Sequence, residues 1–151
     1  MNMRPDRESW ASALASADAA KVAALADRIR DRATVTPLAP PREGLMLMQA
    51  RDSVAGAAFH LGEIPMARVH LRLTAPEGGA EGGAALMSDD LALVTRLAIL
   101  DAALCADLPE APEIEALMAQ GMAVRAEVHA RRALALDRTR VDFQLLSEDD
   151  A

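Results

Sequence analysis

Residues 66–74, MARVHLRLT, alternate without a break: Ala67, Val69, Leu71 and Leu73 are apolar, and Arg68, His70 and Arg72 stand between them. A period of two is the side-chain repeat of a β-strand, and an amphipathic helix cannot produce it because its apolar positions recur every three to four residues. The chain must therefore contain a sheet with one face in a core. The other face carries two guanidiniums and an imidazole. Every other segment has to be arranged so that something apolar covers the first face.

The flanking periodicities are helical. Across residues 7–32, Trp10 and Leu14 share a face, and Val22, Leu25 and Ile29 continue an apolar stripe. Ser16 and Asp18 are both competent caps, so one kinked helix or two short ones fit. Arg28, Arg30 and Arg32 crowd the end, where cations suit the helix dipole. Pro37, Pro40 and Pro41 then mark residues 36–42 as an extended linker. Leu45, Met46, Leu47 and Met48 form a continuous apolar run, predicting a short strand buried on both faces. Its two covering layers come either both from this chain or one from a partner, and the methionines nearby suit an irregular core or a docking surface. Phe59 to Leu61 reads as a short extended piece ended by Gly62. Pro76 to Gly83, with four glycines, reads as a flexible loop, and Ala84 to Met87 as a strand.

The last third returns to helix. Ser88 is placed to cap, with Asp89 and Asp90 in the first turn. Leu93, Leu97, Leu100 and Leu104 line one side and Leu91, Val94 and Ala98 another, so this helix is buried around much of its girth. Pro109 and Pro112 separate it from a helix opening near Glu113, in which Ile114, Leu117, Gly121, Val124 and Val128 keep helical spacing and Arg131 and Arg132 lie near the end. A final strand over 140–146 leads to an acidic tail, 147–151. The expected fold is α+β: N-terminal helices, a small and mostly antiparallel sheet, two C-terminal helices and a last strand. The expected organisation is one domain over 1–151, with a helical segment 7–32, a linker 36–42, a sheet-and-helix body 43–146 and the tail.

Composition narrows the function classes. Of 151 residues, 52% are hydrophobic but only 2% aromatic, so the core must be built from small side chains. A net charge of −7 argues against a nucleic-acid binder, which needs a basic surface. The one cysteine, Cys105, precludes an internal disulfide and a CxxC metal site, and its place on an apolar helix predicts a buried, inert thiol. No apolar run approaches 18 residues and the start MNMRPDRES is polar, so the expectation is a soluble, cytoplasmic protein without membrane association.

No local motif carries chemistry. His60, His70 and His129 show no metal-ligand spacing, although His60 and His70 would meet if their strands paired. There is no nucleophile elbow, and EGGAEGG is neither a Walker loop nor a dinucleotide fingerprint. The expected counts of catalytic and metal-binding residues are both zero. The stripe Arg68, His70, Arg72 is the exception worth keeping. Alternate residues on a strand project about 6–7 Å apart, so two guanidiniums can grip one anion or a carboxylate surface, unless the face is simply solvated. The second basic group, Arg125, Arg131, Arg132, Arg138 and Arg140, is interleaved with Glu127, Asp137 and Asp142 and reads as a solvated helix face.

The ordered set PPREGLMLMQAR (40–51), FHLGEIPMARVHLRL (59–73), AILDAAL (98–104) and RVDF (140–143), preceded by Trp10, Leu14 and Ala15, resembles the G subunit of the bacterial carbon–phosphorus lyase core complex. Arg68 and Arg72 fall on that family's strand arginines. His60 replaces its usual Asn, and Arg140 opens its terminal R-V-D-F. The resemblance implies an accessory subunit of phosphonate breakdown under phosphate limitation. It would assemble with the I, H and J subunits and help the I subunit replace the adenine of ATP with a phosphonate, giving ribose 1-phosphonate 5-triphosphate. Any enzyme activity would then belong to the complex as a transferase. The chain itself would bind no cofactor, and MgATP and phosphonate would be substrates of the assembly. Arg68, Arg72 and Arg140 are the anion- or partner-binding residues this reading selects. The competing reading is a stand-alone module that binds or senses an anionic metabolite without catalysis.

Overall fold

The computed structural model describes residues 5–139. Its elements are α1 (Arg7–Leu14), α2 (Ala19–Arg32), β1 (Thr34–Arg51), β2 (Ala58–Ala75), β3 (Gly78–Leu86), α3 (Leu91–Cys105) and α4 (Ala111–Arg138). The strands form one antiparallel sheet in the order β1-β2-β3. The fold is α+β, as the alternation and the helical stripes require. The N-terminal segment is two helices. Asp18 starts the second, its carboxylate accepting from the backbone N–H groups of Ala20 and Lys21 at 3.0 and 3.2 Å. Asp90, and not Ser88, caps α3. The Ser88 hydroxyl accepts from Asp90 N, and that turn brings the Asp90 carboxylate to Leu93 N at 2.8 Å. The expected final strand over 140–146 and the acidic tail lie outside the described residues.

The helices cover one face of the sheet. Ala67, Val69, Leu71 and Leu73 of β2 are buried in the same cluster as Trp10, Leu14, Val22, Leu25 and Ile29 from α1 and α2 and Ile114, Leu117 and Met118 from α4. Between them lies α3, with Val94 and every residue from Leu97 to Leu104 buried. A core of small side chains works here because the elements approach closely. A Cβ on Gly82 of β3 would sit 2.1 Å from the Ala98 carbonyl oxygen and 2.6 Å from Ala102 N, so α3 rests on the bare strand backbone. Gly121 of α4 plays the same part against α1, where a Cβ would lie 1.8 Å from the Ala13 carbonyl oxygen. The Trp10 indole N–H, buried with the rest of the ring, donates to the Pro5 carbonyl at 2.7 Å.

Two charged clamps tie helices to the sheet and to each other. Asp101 is buried on α3 and accepts from Arg7 Nε and Nη2 at 3.0 and 2.7 Å, and from Gly83 N at 2.8 Å. One carboxylate thus joins α1, α3 and β3. Arg32, at the end of α2, forks onto Glu110 at 3.0 and 2.5 Å and reaches Glu77 in the β2–β3 turn at 2.7 Å. Bidentate geometry of this kind is the strong form of the Arg–carboxylate pair.

Several segments depart from the sequence reading. Residues 36–42 are not a linker but part of β1, paired with β2 through Thr36–Arg72, Pro37–Leu71, Ala39–His70 and Arg42–Arg68. Prolines are tolerated there because β1 is an edge strand and its register slips between Pro37 and Ala39 and again between Ala39 and Arg42. Residues 78–83 are not loop but most of β3. Only Pro76 and Glu77 turn the chain, and the glycines serve the approach of α3. Phe59 to Leu61 is no isolated piece but the start of an 18-residue strand. Leu45 to Met48 do form strand, yet they are not buried. Leu45 is 66% exposed, since the helical layer stops short of them. Cys105, expected inside, is exposed at the C-terminal end of α3. The last helix continues to Arg138, so Val124 and Val128 are exposed on its outer half.

Candidate functional site

The solvent face of the sheet carries the stripe as the alternation predicts: Arg68, His70 and Arg72 are all exposed. The structure separates the two arginines chemically. Arg72 lies opposite Glu81 of β3, and its Nη2 donates to Glu81 Oε1 at 2.5 Å. His70 Nε2 is 3.3 Å from the other oxygen of the same carboxylate. The Arg72 guanidinium, and after it His70, hold Glu81 below its ordinary value despite the opposing cost of desolvation. Arg72 is thus already paired with a carboxylate.

Arg68 is not. Its cross-strand neighbour on β1 is Arg42, and among the described residues neither guanidinium is hydrogen-bonded or ion-paired to a carboxylate. Like charges directly opposite on a sheet repel. Three positions on this face are small: Ala85 lies opposite Arg68, Gly83 opposite His70, and Gly44 opposite Met66. Open concavities of about 380 and 330 Å³ flank the pair, one lined by Glu43, Gly44, Met46, Met66 and Ala85 among others, the other by Pro40 and His70. Both include Arg42 and Arg68 in their walls. Arg140, the third residue selected from the sequence, lies outside the described residues. Arg42 was missed because it sits in the supposed linker, and Glu81 because it sits in the supposed loop. Only the strand register brings either one to the stripe.

Beyond Arg42–Arg68 the β1–β2 ladder continues alone. β3 ends opposite Ala67, while β1 and β2 stay paired from Gly44–Met66 to Arg51–Ala58. At about 3.4 Å per residue this two-stranded arm runs roughly 25 Å past the rest of the sheet. At its tip the Asp52 carboxylate accepts from Val54, Ala55 and Ala57 N at 2.8, 2.6 and 2.9 Å. The hydrogen bonds from Ala55, Val54 and Ala57 hold its pKa below the ordinary value. Gly56 (φ 67°) closes the turn, and Gly62 (φ 135°) sits at the register shift after Met48. Register and alternation put Leu45 and Leu47 on one face, and Met46, Met48, Phe59 and Ile64 on the other. The exposed large apolar residues Leu45, Met46, Leu47, Phe59 and Leu61 all belong to this arm. A soluble chain rarely displays such a patch without a binding use. A second exposed series, Met122, Val124, Val128, Leu134 and Leu136, follows the outer half of α4.

Other features carry less. A groove of about 420 Å³ between α2 and α4, lined by Lys21, Leu25 and Leu117, is crossed by the Arg28–Glu113 ion pair at 2.6 Å. Among the described residues no three His, Cys, Asp or Glu side chains are grouped to hold a metal ion, and no helix is long and apolar enough to cross a membrane. His60 and His70 lie on the same strand and do not meet through strand pairing.

Comparison with known proteins gives two concordant results. Residues 5–147 match a family described as phosphonate metabolism protein PhnG. The chain is also 34% identical over 118 residues to the alpha-D-ribose 1-methylphosphonate 5-triphosphate synthase subunit PhnG of Rhizobium meliloti (strain 1021), covering 78% of this chain and 72% of that protein.

Proposed function

Because this chain belongs to the PhnG family of phosphonate metabolism proteins, we propose that it is an accessory subunit of the carbon–phosphorus lyase core complex. In this reading it assembles with the I, H and J subunits and supports the I subunit in replacing the adenine of ATP with a phosphonate. The product would be a ribose 1-phosphonate 5-triphosphate. The chain supplies surface and geometry, and the assembly supplies the reaction.

The observation that carries this reading is the arm. Residues 44–66 present apolar side chains on both faces of a ribbon that no helix among the described residues covers. A ribbon of two strands is marginal by itself, and burial of both faces against other subunits would stabilise it. Absence of a nucleophile motif agrees with a supporting role.

The test is reconstitution. The chain is co-expressed with the I, H and J subunits, and adenine release from ATP is measured with and without a phosphonate. The expected outcome is one stable assembly, with phosphonate-dependent adenine release that falls at least tenfold when this chain is left out. Normal assembly and turnover without it would sink the proposal.

A further inference from the structure

Arg42 and Arg68 face each other across β1 and β2 with no carboxylate partner among the described residues, while Arg72 and His70 next to them share Glu81. We propose that the Arg42–Arg68 pair, with the glycine- and alanine-floored concavities beside it, is a binding site for a tetrahedral oxyanion of the phosphate or phosphonate class. The two opposed guanidiniums carry a charge of about +2 between them, and neither is ion-paired to Glu43, the carboxylate in the wall of one concavity. A dianion neutralises that charge, whereas a single carboxylate would leave one cation unpaired. The fork geometry of each guanidinium suits two oxygens of a tetrahedral anion, and two forks can grasp three or four of them. Gly44, Gly83 and Ala85 leave room for the anion to approach the sheet. No side chain would meet a Cβ on Gly44 within 4 Å, and the nearest to a Cβ on Gly83 is His70 at 4.0 Å.

The choice of phosphate chemistry follows from the charge count. The physiological source of the anion, a free phosphonate or the triphosphate of a nucleotide, rests on the proposed function. The repulsion also makes a directional statement. In anion-free solution the pair is a liability to the fold, and removing one member relieves it.

The experiment uses the full chain in chloride buffer and follows thermal unfolding while inorganic phosphate, methylphosphonate, tripolyphosphate or acetate is added. Phosphate or its analogues should raise the melting temperature saturably, and acetate should not. A preference for methylphosphonate or for tripolyphosphate identifies the source. Arg42→Ala and Arg68→Ala should each weaken anion affinity by about tenfold or more, since each removes charge-assisted hydrogen bonds. In anion-free buffer both variants should be at least as stable as the parent. A merely structural arginine would give the opposite, a loss of stability. Arg132→Ala on α4, which makes the same charge change far along the chain, should leave anion binding unaltered.

The proposal is overturned if no tetrahedral anion shifts the transition, or if the shift persists in the Arg42→Ala and Arg68→Ala variants. It is also overturned if the anions do nothing while the same variants disrupt assembly with the other subunits, because the pair would then be docking a partner carboxylate. The anion titrations need only this chain, so their failure is separable from failure of the reconstitution.

Discussion

At the scale of single residues, the least conspicuous side chains decide the packing. Gly82 is read from the sequence as one of a loop's glycines, yet it is the point where α3 lies on β3. A methyl group there meets backbone atoms at 2.1 and 2.6 Å, which no rotamer can relieve. Gly82→Ala should therefore cost about 1–3 kcal/mol, lowering the melting temperature by several degrees in a chain this long. Gly83→Ala, one residue away, places its methyl 3.5 Å from the nearest atom and should change stability little. Equal effects of the two substitutions in thermal unfolding would refute the close-approach account. Residue identities of this kind are legible only in part. The alternation 66–74 announces which side chains of β2 face the core, and those positions are buried as read. It is silent on Arg42 and Glu81, because a cross-strand neighbour depends on register, and the register here is displaced by irregularities around Ala39.

At the scale of elements, the sequence misleads where backbone constraints have two uses. Proline argues against a strand only if that strand is central. In β1, at the edge, Pro37 stays opposite Leu71, Pro40 and Pro41 fall within a register shift, and the ribbon is left intact. Helices were easier to read, since Trp10, Leu14, Val22, Leu25 and Ile29 are buried as their spacing implies. What joins them was not visible from spacing. The clamp of Arg32 on Glu110 and Glu77 joins α2 to the start of α4 and to the β2–β3 turn. Arg32 holds both carboxyls below their ordinary value of 4.5. A carboxyl with a depressed folded pKa contributes stability above its unfolded pKa and loses it as the pH falls through the folded value. The clamp's contribution should thus be complete at neutral pH and decline below about pH 4.5. Melting temperature measured from pH 7 to pH 3 should fall more steeply for the parent than for Arg32→Ala, the two curves converging in acid. Parallel curves would show that the clamp contributes nothing.

At the scale of the whole molecule, the described residues divide into a packed body and an arm that none of the helices among them covers. Replacing residues 46–64 with Asn-Gly, a dipeptide suited to a two-residue hairpin turn, should leave the body folded. The helical circular dichroism of the body should survive, and assembly with the other subunits should be lost. Retained assembly would show that the arm is not the docking element. The extent of the arm was not legible in the sequence. Leu45 to Met48 have the composition of a strand buried on both faces, and composition does not say whose atoms bury it. That same arm has a cost in the cell. Among the described residues, no strand pairs with its outer edge on β1 or with the edge of β2 beyond the end of β3, and apolar side chains lie beside both. Such edges pair with any strand that offers itself, including another copy of this chain. A copy made without companions is therefore an orphan, prone to self-association and exposed to proteolytic clearance. On the proposed function, the abundance such a chain tolerates would be set by the supply of the subunits that cover the arm.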